Sequence, residues 1–157
     1  MENQKETVTV DFEALKKINP EIIAWIRIPD TKIDYPVVQG ADNEYYLNHT
    51  FKKTEHVAGS IFLDKDNSPD FSNRKSILYG HNMKDGSMFQ GLHKYENEQY
   101  LKTHNKVYLY LPEGQTLTYS VIRCGYVNAD SDTFWLGEPV AVSYTHLRAH
   151  ETLMNLV

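Results

Sequence analysis

The sequence holds a single cysteine, Cys124. That excludes an internal disulfide and any zinc or iron–sulfur site built on several thiolates, which need two to four of them. No apolar run approaches the roughly 18 residues of a membrane span, and the N-terminus, Met1-Glu-Asn-Gln-Lys-Glu-Thr7, is polar with no apolar stretch behind it. Neither a signal peptide nor a transmembrane segment is therefore encoded here, and the chain is expected to be soluble; if the protein works outside the cell, an export or anchoring segment has been cut away. Positive charge is short as well: 16 Lys and Arg face 21 Asp and Glu, a net charge of -5, which gives no long-range attraction for phosphate backbones and excludes a general nucleic-acid binder. Only 8 Gly and 6 Pro occur, against 11 Tyr, 6 Phe and 2 Trp and an apolar share of 41%. Such a composition is globular, and 157 residues suffice for one core and not two.

Hydrophobic periodicity predicts mostly strands. Asp11 to Ile18 spaces Phe12, Leu15 and Ile18 as a short amphipathic helix behind a capping Asp, ended by Asn19-Pro20. Two β-branched runs, Ile22–Ile28 and Ile33–Val38, flank the turn residues Pro29 to Lys32 and read as a hairpin, with Pro36 at an edge or bulge. Asn43 to Leu47 reads as one helical turn, Gly59–Leu63 and Ser76–Tyr79 as short buried strands, and Asp64–Lys75 as a polar loop. Met88, Leu92 and Tyr95 predict a second amphipathic helix over Ser87–Tyr95, with a shorter third over Glu96–Lys102. Lys106–Leu111 and Leu117–Val127, joined at Pro112-Glu113-Gly114, form a second hairpin. About six strands following one another without full crossover helices favour an antiparallel or mixed β-barrel over a parallel α/β sheet.

Seven histidines invite a metal hypothesis. His146 and His150 share a helical spacing beside Glu151, yet no His-Glu-x-x-His order or third ligand accompanies them, so no metal or cofactor is expected. His49, His56, His93 and His104 stand alone among polar neighbours. His81 differs: it follows the apolar Ile77-Leu78-Tyr79 and a flexible Gly80, which puts an imidazole at the mouth of a sheet, suited to act as a general base or to keep a thiol ionised. The nucleophile it would need is not evident. Cys124 sits mid-strand in Tyr119-Ser-Val-Ile-Arg-Cys-Gly-Tyr126, and Arg123 beside it points to the opposite face, so Cys124 reads as a small filler. Trp25, Tyr45, Tyr46, Tyr79, Tyr95 and Trp135 either line a groove for a peptide or glycan or simply pack the barrel.

Longer stretches carry a family resemblance. Asn19-Pro-Glu21 with Ala24-Trp25-Ile26, Ile33-Asp-Tyr-Pro-Val-Val-Gln39, Asp42-Asn-Glu-Tyr-Tyr-Leu-Asn-His49, Gly59-Ser-Ile-Phe-Leu-Asp64, Asp70-Phe71 and above all Leu78-Tyr-Gly-His-Asn-Met-Lys-Asp-Gly-Ser-Met-Phe89 resemble the class B sortases, from about Asp11 to Trp135. The resemblance implies an eight-stranded β-barrel with N-terminal helices, working on the outer face of the membrane of Gram-positive bacteria. It implies a cysteine transpeptidase that cleaves a sorting signal at a Thr-Asn or Thr-Gly bond. The surface protein is then joined to an amine of peptidoglycan or its lipid-linked precursor. His81 would be the catalytic histidine, and Asn43, Leu47 and Tyr79 match positions that contact the sorting peptide.

The family's nucleophile lies in a Thr-Leu-x-Thr-Cys motif on a late strand, with an oxyanion-stabilising arginine on the final strand, and neither motif occurs in this sequence. From Ser143 the resemblance stops: Tyr144-Thr-His-Leu-Arg-Ala-His-Glu-Thr152 reads as translated adapter sequence, which disqualifies Arg148 as the arginine. The expected organisation is a polar tail at 1–10, a partial sortase-type barrel at 11–142 that is mainly β with short N-terminal and peripheral helices and lacks its late strands, and a non-family tail at 143–157. Such a chain is expected to be inactive. The rival expectation is a non-catalytic β-barrel module that holds a peptide or wall glycan.

Overall fold

Asp11 accepts a hydrogen bond from the Ala14 amide at 3.0 Å and so starts α1, Phe12–Ile18, because a side-chain oxygen at this position satisfies an amide that the first turn leaves unpaired. Asn19 is extended, as a residue before proline prefers, and ends the helix. Phe12 is buried and Leu15 half-buried, but Ile18 is 51% exposed, so only the first two of the three apolar positions face the body. The computed structural model describes residues 9–125 in full and, beyond them, the backbone of residues 141–144 and 151–156.

The first hairpin forms as expected. β1, Ile22–Arg27, pairs antiparallel with β2, Asp34–Val38, around a turn in which Asp30 takes a positive φ of 63°, a conformation that Asp tolerates better than most side chains. β3, Ile61–Leu63, runs parallel to β2, starting at Val37↔Ile61. Pro36 therefore lies just before that ladder begins, on the part of β2 paired with β1 alone, where its missing N–H does least harm. The register shift falls instead in β1, between Ile22 and Ala24.

β4, Lys75–Gly80, is antiparallel to β3. β5, Lys106–Tyr110, pairs with β1, and β6, Thr116–Val121, pairs with β5 across a turn where Gly114 has φ 87°. Over Ser87–Tyr95 the helix is of the 3-10 kind and spans Gln90–Glu96. Phe89, Leu92 and Tyr95 are all buried, and their spacing of three fits a helix with three residues per turn. α2, Glu98–Thr103, follows, capped by Asn97.

β1 to β6 make a curled, mixed sheet in the order β4-β3-β2-β1-β5-β6. The curled, mainly β sheet of six strands is as the sequence predicts. Its two outer strands would leave unpaired backbone groups, and such edges pair readily with any extended segment. The expected absence of late strands is not what the structure shows: β7, Ala141–Tyr144, joins β6, and β8, Glu151–Leu156, joins β7 and runs parallel to β4, so the backbone ring closes. Among the described residues no helix is long and apolar enough to cross a membrane.

Strand alternation sorts the apolar side chains onto two faces. Ala24, Ile26, Ile61, Leu63, Leu78 and Leu109 belong to the cluster that fills the barrel. Ile22, Val38, Tyr46 and Phe62 form a second cluster on the other face of the sheet, against which Leu15, Leu47, Phe51 and Tyr79 pack. The register shift in β1 puts Ile22 in the second cluster while Ala24 remains in the first.

Candidate active site

The outer face of β4 is where the residues singled out in the sequence meet. Gly80 has no room for a side chain: a Cβ there would lie 2.5 Å from Ile61 Cδ1 and 2.6 Å from Phe89 Cδ2. Its backbone is pressed against the core, and the next residue, His81, emerges on the same face as Tyr79. The His81 carbonyl accepts from the Phe89 amide at 2.9 Å, which fixes the backbone where the strand ends. The half-buried ring is bonded through Nε2 to the Leu47 carbonyl. A carbonyl can only accept, so Nε2 carries the proton and, in the neutral ring, Nδ1 is the basic nitrogen.

Leu47 closes a 3-10 turn, Tyr45–Leu47, rather than an α-helical one. Asp42 Oδ1 starts that turn by accepting from the amides of Tyr45 at 2.8 Å and Glu44 at 2.9 Å, and these amides hold the Asp42 carboxyl below its ordinary range. Tyr46 anchors the turn from beneath. It is buried, accepts from Asn19 Nδ2 at 2.9 Å and donates to Glu21 Oε1 at 2.7 Å. On the other side Gly59, at φ 58°, comes so near that a Cβ would sit 2.4 Å from the Tyr46 carbonyl oxygen and 2.6 Å from that of Leu47.

Asn43 and Tyr79 meet on a third residue. Asp64 is 5% exposed, and its Oδ2 accepts from Tyr79 Oη at 2.8 Å and from Asn43 Nδ2 at 3.1 Å. Its Oδ1 accepts from the Asp66 amide at 3.0 Å. Burial first, and the Asp64 carboxylate second, push the Tyr79 phenol far above its ordinary pKa. Sequence reasoning placed Asp64 at the start of a polar loop and at the end of the run Gly59-Ser-Ile-Phe-Leu-Asp64, without assigning it to the site. The available signal was a carboxylate closing the fully apolar strand Ile61–Leu63.

The other candidates are dispersed. Cys124 lies past the end of β6 rather than mid-strand, half-buried, with Sγ 3.8 Å from the Leu92 carbonyl. Burial, and then Glu96, push its thiol pKa up, the opposite of what a thiolate nucleophile needs. His49 stacks on Tyr45, His93 pairs with Glu96 at 2.8 Å, and His104 stacks on Tyr100. Of the aromatics weighed for a groove, Tyr46 and Tyr95 are buried in the two clusters and Trp25 Nε1 donates to Asp34 Oδ1 at 2.6 Å. A cleft of about 230 Å3 is lined instead by Tyr35, Pro36, Phe51, Ala58, Ile61 and Met88, among others. Trp135, His146, Arg148 and His150 lie outside the described residues, as does the end of the second hairpin beyond Gly125.

β8 passes beside this site in parallel register, with Tyr79 opposite Asn155 and Gly80 opposite Leu156. The strand reads Glu151-Thr-Leu-Met-Asn-Leu156 and contains no cysteine.

A barrel of this order, with an imidazole emerging at the end of β4, defines a class, and the comparison with known families agrees: residues 26–156 match the Sortase domain, and the chain belongs to that family. Its relatives are class B enzymes. Sortase B of Listeria monocytogenes is 45% identical over 102 residues, which are 65% of this chain and 42% of that protein. The X-ray structure of Clostridium perfringens sortase B superposes with a TM-score of 0.72 at 38% identity, over 76% of this chain and 64% of the other. The crystal structure of Staphylococcus aureus sortase B gives a TM-score of 0.74 at 32% identity, over 78% and 58%. The chain thus spans about two fifths of the length of the curated relatives it matches.

Proposed function

We infer that the outer face of β4 is the peptide-binding and proton-transfer half of a class B sortase-type transpeptidase site. The observation that carries this reading is convergence: His81 is bonded to Leu47, Asn43 and Tyr79 share Asp64, and Leu47 and Tyr79 pack in one cluster. In the reaction a thiolate attacks the carbonyl of a Thr-Asn or Thr-Gly bond in a sorting signal, and the imidazolium gives its proton to the leaving amine. The resulting thioester is opened by an amine of peptidoglycan or its lipid-linked precursor, which returns a proton to the imidazole. His81 is the proton carrier; Asn43, Leu47 and Tyr79 hold the peptide. The parent enzyme works at the outer surface of the cell.

This chain is inactive by the same reasoning. β8, the strand beside β4, carries no thiol, and the single thiol of the sequence is raised in pKa and bonded elsewhere. Fluorescence anisotropy with a labelled sorting peptide tests the reading. Saturable binding that weakens on Tyr79→Phe and on Asn43→Ala is expected. Binding indifferent to both, and to His81→Ala, belongs to the rival reading of a non-catalytic module.

A further inference from the structure

We propose that Asp64 is the positioning residue of the peptide-contact face, committing one donor each of Asn43 and Tyr79 to its carboxylate so that the face presents a matched donor and acceptor to an extended, uncharged peptide backbone. This deepens the reading above and rests on it. A carboxylate accepts only, so the Tyr79 hydroxyl spends its single proton on Asp64 Oδ2 at 2.8 Å. What the phenol oxygen has left for a ligand is acceptor capacity.

Asn43 is held in a single orientation from both ends. One Nδ2 hydrogen goes to the same Oδ2 at 3.1 Å, and its Oδ1 accepts from the Lys65 amide at 2.8 Å. The amide cannot flip without losing both bonds, and its second N–H is its remaining donor. Both side chains are half-buried, so they reach the surface from a fixed base. A donor and an acceptor held together match the C=O and N–H of a backbone peptide group, whereas a ligand carboxylate would meet the phenol oxygen and a nearby carboxylate as repulsion.

Asp64 itself is held rigidly. Its amide donates to the Ile77 carbonyl at 2.9 Å, its carbonyl accepts from Gln39 Nε2 at 2.9 Å, and its Oδ1 is taken by the Asp66 amide. Asp64→Asn keeps the size of the side chain but puts an amide where two donors converge. The Tyr79 hydroxyl and the Asn43 amide must then compete for one oxygen.

The test measures sorting-peptide binding by anisotropy and the ionisation of Tyr79 by 13C NMR of labelled tyrosine, in the wild type, Asp64→Asn, Tyr79→Phe and the double variant. Asp64→Asn should weaken binding about tenfold and let Tyr79 ionise at lower pH, and Tyr79→Phe should add less than threefold in the Asp64→Asn background. Affinity within twofold of wild type, full additivity, or weakened binding with an unmoved Tyr79 titration each overturns the proposal. If the wild type binds no peptide, the functional reading fails, while the Tyr79 titration alone still decides whether Asp64 positions the phenol. If Asp64→Asn does not fold, Tyr79→Phe in the wild-type chain must shift the Asn43 side-chain amide resonance through the shared oxygen; an unshifted resonance overturns the claim.

Discussion

Gly59 shows how much of this site depends on a side chain that is missing. Its φ of 58° and its approach to the carbonyls of Tyr46 and Leu47 leave no space for a methyl group, and the obstructing atoms are backbone oxygens that cannot swing aside. Gly59→Ala should therefore cost roughly 2 to 4 kcal/mol, from left-handed strain plus the clash, read as a lower urea midpoint. Because the clash is with Leu47, the His81 ring signals should shift in the same variant. An unfolding free energy within about 0.5 kcal/mol of wild type would show that the turn gives way freely. His81 was legible in the sequence because an apolar strand followed by Gly-His places a polar ring at a strand end. Asp64 was not, because its role exists only once β3 and β4 and the turn at Tyr45–Leu47 are brought together.

Among elements, the hairpins read clearly from β-branched runs and turn residues, and β1, β2, β5 and β6 lie where those patterns put them. The 3-10 segments read less well. A spacing of three and four suits either helix type, and the choice fell to the burial of Phe89 between Gly80 and the barrel interior. β8 is the strand that runs beside the end of β4, with Asn155 opposite Tyr79 and Leu156 opposite Gly80. In a Cys124→Ala background, Asn155→Cys, at the position paired with Tyr79, should give a thiol whose alkylation by iodoacetamide proceeds below the ordinary thiol pKa of about 8.5 and loses that advantage on His81→Ala. A pH profile unchanged by His81→Ala would mean that the two positions do not meet.

At the scale of the whole molecule, the phenols set an alkaline limit. Burial holds Tyr46, Tyr79 and Tyr95 neutral well above their ordinary pKa of 10.0. In the unfolded chain they ionise near that value. Above it the unfolded state therefore binds fewer protons than the folded one, and stability, fully present below pH 10, falls as pH rises. The slope approaches about 1.4 kcal/mol per pH unit for each phenol that stays protonated in the folded state and is ionised in the unfolded one. Melting temperatures between pH 9 and pH 11 should drop accordingly, and a flat or rising profile would contradict the burial described here.

The barrel holds the His81 imidazole against the Leu47 carbonyl, while β8 beside it carries no thiol. The most direct test is turnover of a fluorogenic sorting peptide by the purified chain, with and without an amine acceptor. No cleavage above the level of His81→Ala is expected, with or without Cys124. Cleavage that disappears on Cys124→Ala would contradict the account, since it would make the half-buried thiol beside the Leu92 carbonyl the nucleophile.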